Sequence, residues 1–134
     1  MAELAISTLK PTAASPSKLK RVQVGEAVNE GSFGVKIGAK YYHAKNDTAA
    51  NAAVSVIFAN SAALDGYAFV YESGHTFDIG ATTSSGEVYC VASTAGESEP
   101  HSEVATTEFV SPVFTGTGTS VITFQPRPSG YAKP

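Results

Sequence analysis

Three side chains that could do acid–base chemistry lie close together in the stretch YESGHTFDIG, residues 71–80. They are Glu72, His75 and Asp78. Two carboxylates and an imidazole are the groups that general acid–base catalysis or metal binding would use. Either chemistry requires the three side chains to converge on one point, so the local backbone decides whether this stretch is a catalytic site.

The alternation of apolar residues around this stretch predicts a β-hairpin with Ser73-Gly74 as its two-residue turn. In that hairpin His75 lies opposite Glu72 at an exposed tip, while Asp78 points to the other face of the sheet. His75 and Asp78 cannot then form a dyad, and a Glu72–His75 pair at an exposed tip is worth only a few tenths of a kcal/mol. The pattern therefore favours a structural hairpin over an active site.

A second row of polar side chains places Glu97, Glu99, His101 and Glu103 at every second position. Alternate residues of an extended strand lie about 6.5–7 Å apart, whereas metal ligands must converge to about 2 Å from one ion. Pro100 also interrupts any strand ladder. The row is typical of a solvated acidic loop, with a weak Ca²⁺ site as the alternative.

Other signatures of chemistry are absent from the sequence. The single cysteine, Cys90, allows no internal disulfide and lies in the apolar run GEVYCVAS without a basic neighbour, so we expect a buried core residue. The sequence contains no His-Glu-x-x-His, Cys-x-x-Cys or Gly-x-Ser-x-Gly motif. We therefore expect no enzyme activity, no cofactor and no bound metal. An enzyme of another type would have to use His75 or the 97–103 row.

The charges are unevenly distributed along the chain. Residues 1–45 contain seven basic and three acidic residues, whereas residues 46–126 contain nine acidic residues and no Lys or Arg. The net charge is −3, and an acidic body disfavours a nucleic-acid partner. No stretch approaches the ~20 apolar residues of a membrane span, and the N-terminus lacks a signal-peptide pattern. We therefore expect no membrane partner and synthesis in a cytoplasm.

The sequence pattern around the polar residues discussed above predicts β-strands. At 134 residues the chain has the length of one domain, and its period-two alternation is punctuated by Gly and Pro. We predict an all-β fold, a small antiparallel β-barrel or sandwich with at most one short helix after Asp47 or Thr48. The predicted division is an extended N-terminal arm at 1–21, a β-rich body at 22–125 and a Pro-rich tail at 126–134.

Two groups of residues are predicted to contact partners. The arm combines basic side chains with apolar anchors and has no periodic pattern of its own, so we expect it to bind a partner surface through Leu4, Ile6, Leu9, Lys10, Lys18, Lys20 and Arg21. An aromatic strip on the face of the predicted hairpin exceeds what one small core needs. It is the predicted oligomer interface, consisting of Tyr67, Phe69 and Tyr71.

The order of phrases along the chain resembles the head decoration, or capsid cement, proteins of tailed bacteriophages. The matching pieces begin with ELAIST and VGEAVNEGSFGVKIGAKYYHAKND, and continue with ANSAALDGYAFVYESGHTFDIGAT. GEVYCVASTAGESEP and SEVATTEFVSPVFTGTGTSVITFQ complete them, so the resemblance covers most of the chain. It lies in the succession of turn-flanked strands rather than in one diagnostic motif.

This resemblance implies a structural virion protein on the exterior of an icosahedral head. It implies trimers that brace neighbouring copies of the major capsid protein, and an N-terminal arm that becomes ordered on docking. The alternative from another class is a receptor- or glycan-binding module of a phage appendage, with the exposed tyrosines as its surface. Binding to purified heads or to host glycans distinguishes the two.

Overall fold

The computed structural model describes residues 3–12 and 19–134, and the statements below refer to those residues. Their fold is mainly β with one short α-helix, as predicted. The strands are β1 (Lys10–Pro11), β2 (Lys20–Gln23), β3 (Phe33–Ile37), β4 (Lys40–His43), β5 (Val56–Phe58), β6 (Tyr67–Tyr71), β7 (Thr76–Asp78), β8 (Val88–Val91), β9 (Ser98–Pro100), β10 (Pro112–Thr115) and β11 (Val121–Thr123). Helix α1 spans Ala49–Ala52, and a 3₁₀ helix spans His101–Glu103.

The strands form three antiparallel sheets. The largest has the order β2-β6-β5-β3-β4, and the two smaller sheets have the orders β10-β8-β9 and β1-β7-β11. The five-stranded sheet curls so that its two edge strands approach each other at one point. There Val24, which follows β2, forms an isolated bridge with Tyr41 of β4, and the Gly25 N–H donates to the Tyr41 carbonyl at 2.9 Å. The described residues therefore form a curled sheet packed on two smaller ones, a sandwich-like arrangement without a closed barrel.

The central strand of the five-stranded sheet, β5, is buried on both faces. Within β5, Val56 and Phe58 belong to a small apolar cluster inside the curl, and Ile57 belongs to a larger cluster on the other side. That larger cluster is shared by all three sheets, and its fully buried members include Phe33, Phe77, Val113, Ile122 and Phe124. A strand that is apolar at three successive positions is expected when both faces are covered.

The predicted hairpin at 71–76 is wrong. β6 pairs with β2 and β5, whereas β7 pairs with β1 and β11 in a different sheet. The turn at Ser73-Gly74 exists, but the chain then leaves the first sheet: the Gly74 N–H donates to the Phe124 carbonyl, and the Phe124 N–H donates to the His75 carbonyl, each at 2.8 Å. Both edges of β6 are occupied, one by β2 and the other by β5, so no edge is left for β7.

The interpretation of 97–103 as a solvated loop is wrong for its central part. Ser98–Pro100 form β9, in which Glu99 pairs with Cys90 of β8 and is buried. The outer edge of β9 is covered because Leu4 forms an antiparallel bridge with Ser98. Among residues 3–12 and 19–134, no group of three or more His, Cys, Asp or Glu side chains is placed to hold a metal ion.

The first part of the predicted arm lies on the body. Residues 3–12, called the strap below, cross two sheets: Leu4 pairs with β9, and β1 pairs with β7 with Lys10 opposite Asp78. Ile6 and Leu9 are buried in the larger core cluster. The strap is therefore extended, as predicted, and supplies side chains to the core.

Both ends of the body include residues that were assigned to flanking segments. Lys20 and Arg21 form the first half of β2 and belong to the five-stranded sheet. In the segment 126–134, Ala132 forms a bridge with Phe109, and the Val110 N–H donates to the Tyr131 carbonyl at 3.0 Å. The C-terminal segment is thus hydrogen-bonded along the body.

Candidate interaction surface

The outer face of β2 and β6 carries an exposed group of aromatic and basic side chains. Arg21 lies opposite Phe69 in the strand register, and Gln23 lies opposite Tyr67, so these four share one face. The Arg21 guanidinium carbon lies 4.1 Å from the centre of the Tyr67 ring, a cation–π contact. Tyr67 is 54% exposed and Phe69 47% exposed, so about half of each residue remains open to solvent.

A turn at one end of β6 extends this surface. The Gly66 N–H donates to the Ala63 carbonyl at 2.8 Å, and Asp65 has a φ of +63°, a conformation that side chains other than Gly rarely adopt. The Gln23 side-chain amide donates to the main-chain carbonyl of Asp65 at 3.0 Å, and the Lys40 ammonium donates to the Asp65 carboxylate at 2.7 Å. Leu64 stands at the tip of this fastened turn and is 63% exposed.

We call this surface the Arg21 patch, consisting of Leu19, Arg21, Leu64, Tyr67 and Phe69. Leu19 and Leu64 were missed at the sequence level. Leu19 precedes Arg21 by two positions and so continues the outward-facing side of β2, a signal that was hidden because 19–21 was assigned to the arm. For Leu64 the signal was the following Asp65-Gly66 pair, which marks a turn and so an exposed neighbour.

The structure does not bring the predicted arm residues together on one surface. Leu4, Ile6 and Leu9 lie in the strap against the chain's own body, and Lys10 is exposed in β1. Lys20 and Arg21 are adjacent in β2 and point to opposite faces, with the Lys20 ammonium 3.5 Å from the Tyr41 hydroxyl. Lys18 lies outside the described residues.

The aromatic strip is divided between the surface and the core. Tyr67 and Phe69 are exposed, but Tyr71 is only 9% exposed, and its ring centre lies 4.8 Å from that of Phe77. The pKa of Tyr71 is raised by burial, and further by the charge of Glu30. Tyr71 is buried because the sheet containing β7 covers this end of β6.

His75 and Asp78 make structural contacts within the fold. His75 is buried instead of exposed at a tip: its Nδ1 lies 2.9 Å from the Glu72 carbonyl oxygen, and its ring stacks on Phe77. Asp78 accepts a hydrogen bond from the Gly80 N–H at 3.0 Å, and this bond is the main cause of its lowered pKa. Nε2 of His75 is buried without a hydrogen-bond partner among the described residues.

Replacing His75 by alanine is expected to lower the free energy of unfolding by about 2–4 kcal/mol, because the change leaves a cavity between Tyr71 and Phe77. His75→Phe is expected to cost less than half of that, since it keeps a ring and removes the unpaired Nε2. Urea denaturation measures both. Glu72→Ala, at an exposed position, is the control, expected within about 0.5 kcal/mol of the wild type. A His75→Ala protein of wild-type stability would contradict the buried position.

Cys90 is fully buried, as predicted. Burial, followed by the nearby charge of Glu99, raises the pKa of the Cys90 thiol to about 11. The side chain is therefore a neutral thiol at physiological pH and packs as a small apolar group.

Comparisons with known proteins found no match among protein-family models, curated proteins or solved structures. In the described ranges, no helix combines the length and the apolar character needed to cross a membrane.

Proposed function

We propose that this protein is a capsid decoration protein of a tailed bacteriophage, located on the exterior of the virion. Its partner is the major capsid protein, and it stabilises contacts between neighbouring capsid subunits. It acts as a structural protein, without enzymatic activity, and its copies associate with one another, as trimers in the arrangement that the sequence resemblance implies. The resemblance over most of the chain is one support for this proposal.

The Arg21 patch is the observation that carries the proposal. Tyr, Phe and Arg side chains are enriched at binding surfaces, where large rigid rings supply contact area at a small cost in conformational entropy. Here two rings and one guanidinium stand on paired strands, and the turn held by Asp65 just before β6 exposes Leu64. Such a preorganised surface suits docking on a protein shell.

The position of the strap changes which arm residues can serve as anchors. Ile6 and Leu9 would have to leave the chain's own core before they could enter a groove on the capsid, at a cost of about 1.5–3 kcal/mol for each side chain. We therefore assign the contact with the capsid to Arg21 and its neighbours in the patch. The strap remains on the body.

Tyr67 and Phe69 also favour a second candidate function. Exposed aromatic rings are suited to stack on the apolar faces of sugars, as the receptor- or glycan-binding alternative requires. This alternative predicts binding to host cells or isolated host glycans. The decoration proposal predicts saturable binding to heads with a fixed copy number.

Replacing Arg21 by glutamate is expected to weaken attachment to undecorated heads at least about tenfold, because it reverses the charge and removes the stacking partner of Tyr67. The assay is co-sedimentation with heads assembled from the major capsid protein of the same phage. Lys36→Glu is the matched control, a charge reversal at an exposed position of β3. Circular dichroism and thermal melting establish that both variants remain folded.

The control variant should bind like the wild type. Equal attachment of the wild type and Arg21→Glu would show that the patch is not the contact with the capsid. Failure of the wild type to bind heads, together with saturable binding to host glycans, would replace the decoration proposal by the appendage alternative.

A further inference from the structure

One buried side-chain amide faces more acceptors than it has hydrogens. Nδ2 of Asn46 lies 3.2 Å from the Val91 carbonyl oxygen, 3.3 Å from Oε2 of Glu99 and 3.2 Å from Oε1 of Glu108. An amide nitrogen carries two hydrogens. If both carboxyl groups are ionised, at least one of these three acceptors receives no hydrogen from Asn46.

Rotating the amide of Asn46 does not solve the problem. The rotation would place Oδ1, another acceptor, against the same three oxygens. In the orientation observed, Oδ1 is buried without a hydrogen-bond partner in the described part of the chain. A proton on one of the two carboxyl groups would remove this shortage of hydrogens.

The surroundings identify Glu99 as the protonated group. Glu99 is 6% exposed, whereas Oε1 of Glu108 also accepts a hydrogen bond from the Ala105 N–H at 2.8 Å. A protonated Glu99 no longer needs a hydrogen from Asn46. The two amide hydrogens then serve Val91 and Glu108.

Most of the charged groups around Glu99 raise its pKa. Burial raises the pKa of Glu99 to about 7, and the negative charges of Glu108, Glu3 and Glu103 add to this effect. Lys133 acts in the opposite direction with a smaller effect. Cys90, the partner of Glu99 on β8, remains a neutral thiol because its own pKa is raised to about 11.

This cluster holds two segments near the C-terminus. The Asn46 carbonyl accepts the Phe109 N–H at 2.8 Å, which ties residues 105–110 to the body. The Lys133 N–H donates to the Glu108 carbonyl, and the Thr107 N–H donates to the Lys133 carbonyl, both at 2.8 Å. Thr107 has a φ of +75°, a strained conformation for a β-branched residue, so these bonds hold the turn against its own strain.

We propose that Glu99 carries a proton below neutral pH and, together with Asn46 and Glu108, fastens residues 105–110 and 131–133 to the body. Loss of this proton at higher pH leaves two negatively charged carboxylates facing the side-chain amide of Asn46. The attachment of both segments to the body is then weaker. The cluster is thus a pH-sensitive latch. It is independent of the proposed attachment to capsids.

The direction of the pH effect follows from proton binding. The folded protein holds the Glu99 proton more tightly than the unfolded chain, in which the pKa is near its ordinary value of 4.5. The stabilisation is complete below pH 4.5 and is lost as the pH rises through about 7. Alkaline conditions therefore loosen the latch, and acidic conditions tighten it.

Carbon NMR of the Glu99 carboxyl in the wild type tests the proton directly. A titration midpoint near 7 is expected, and a midpoint near 4.5 would overturn the proposal. The melting temperature of the wild type should fall by roughly 5 °C between pH 5.5 and 8.5, beyond any change that Glu99→Gln shows. Glu99→Gln supplies permanent amide hydrogens. At the exposed position 72, Glu72→Gln is the control and should follow the wild type.

Hydrogen exchange at pH 8 tests whether the latch holds the C-terminal segments. The amides of Thr107, Phe109 and Lys133 should exchange roughly tenfold more slowly in Glu99→Gln than in the wild type, while the Ala59 amide, bonded to Phe69, should not change. Equal exchange at the three latch amides would overturn the proposal. The NMR titration determines the protonation state of Glu99 even if the Glu99→Gln variant does not fold, because the titration uses the wild type.

Discussion

Replacing Ile6 and Leu9 together by alanine is expected to lower the free energy of unfolding by about 4–10 kcal/mol. Both side chains are buried in the core cluster shared by the three sheets, and a buried Ile or Leu replaced by Ala costs about 2–5 kcal/mol. The sum is comparable to the total stability of a small domain, about 5–15 kcal/mol. Urea denaturation followed by circular dichroism measures the loss.

A deletion of residues 1–12 should have a still larger effect. It removes both core side chains, the Leu4 bridge to Ser98 and the pairing of β1 with β7, so two sheet edges lose their cover. We expect the truncated chain to show no cooperative unfolding transition. The strap would then be required for the folded state, although the division predicted from the sequence placed residues 1–21 in an arm outside the β-rich body.

Ser7 and Thr8 supply the matched control for the strap. Both are exposed between the two buried anchors, so Ser7→Ala with Thr8→Ala should change stability by less than about 0.5 kcal/mol. If the truncated chain unfolded at the wild-type urea concentration, the strap would not be part of the fold. Its apolar residues would then be free to bind a capsid groove.

Replacing Phe33 by alanine is expected to cost about 3–5 kcal/mol. Phe33 is fully buried on β3, and its ring centre lies 6.3 Å from that of Phe114 and 5.8 Å from that of Phe124. The ring therefore joins the five-stranded sheet to the two smaller sheets. Phe33→Leu, which keeps most of the volume, should cost less than about 1.5 kcal/mol. Thermal and urea denaturation measure both variants.

Phe69 is the matched control for Phe33, since the same substitution at a half-exposed ring creates no buried cavity. Phe69→Ala should lie within about 0.5 kcal/mol of the wild type in stability. Comparable losses at positions 33 and 69 would contradict the assignment of one phenylalanine to the core and the other to the surface. A stable Phe69→Ala protein is also a clean probe of the Arg21 patch in the head-binding assay.

The sequence alone was sufficient for the class of fold and for most strands. Alternating runs such as Phe33–Ile37 and Tyr67–Tyr71 report which residues share a face of a strand, because that property depends on neighbours two positions apart. The short helix behind Thr48 was also predictable, since the Thr48 hydroxyl accepts the Asn51 N–H at its first turn. The buried character of Cys90 followed from the apolar run around it. These are local properties of the chain.

The candidate surface was predicted only in part. Tyr67, Phe69 and Arg21 were selected from the sequence, but in two separate groups, as an oligomer strip and as part of an arm. Their contact across β2 and β6 depends on strand register, which residues more than forty positions apart determine together. No local pattern records that pairing.

Tertiary structure alone decided the roles of the charged and polar residues. From a sequence, a carboxylate or imidazole side chain is predicted to be exposed. Burying it is costly unless distant groups provide hydrogen bonds or compensate its charge. Glu99 is buried because Asn46 and the strap cover it, and His75 is buried because β7 joins a different sheet from β6. The sequence predicted an extended arm where the strap lies, because Ile6 and Leu9 are not part of a periodic apolar pattern within their own segment. Whether such residues lie in water or in the core depends on which distant strands reach them, and only the folded chain determines that.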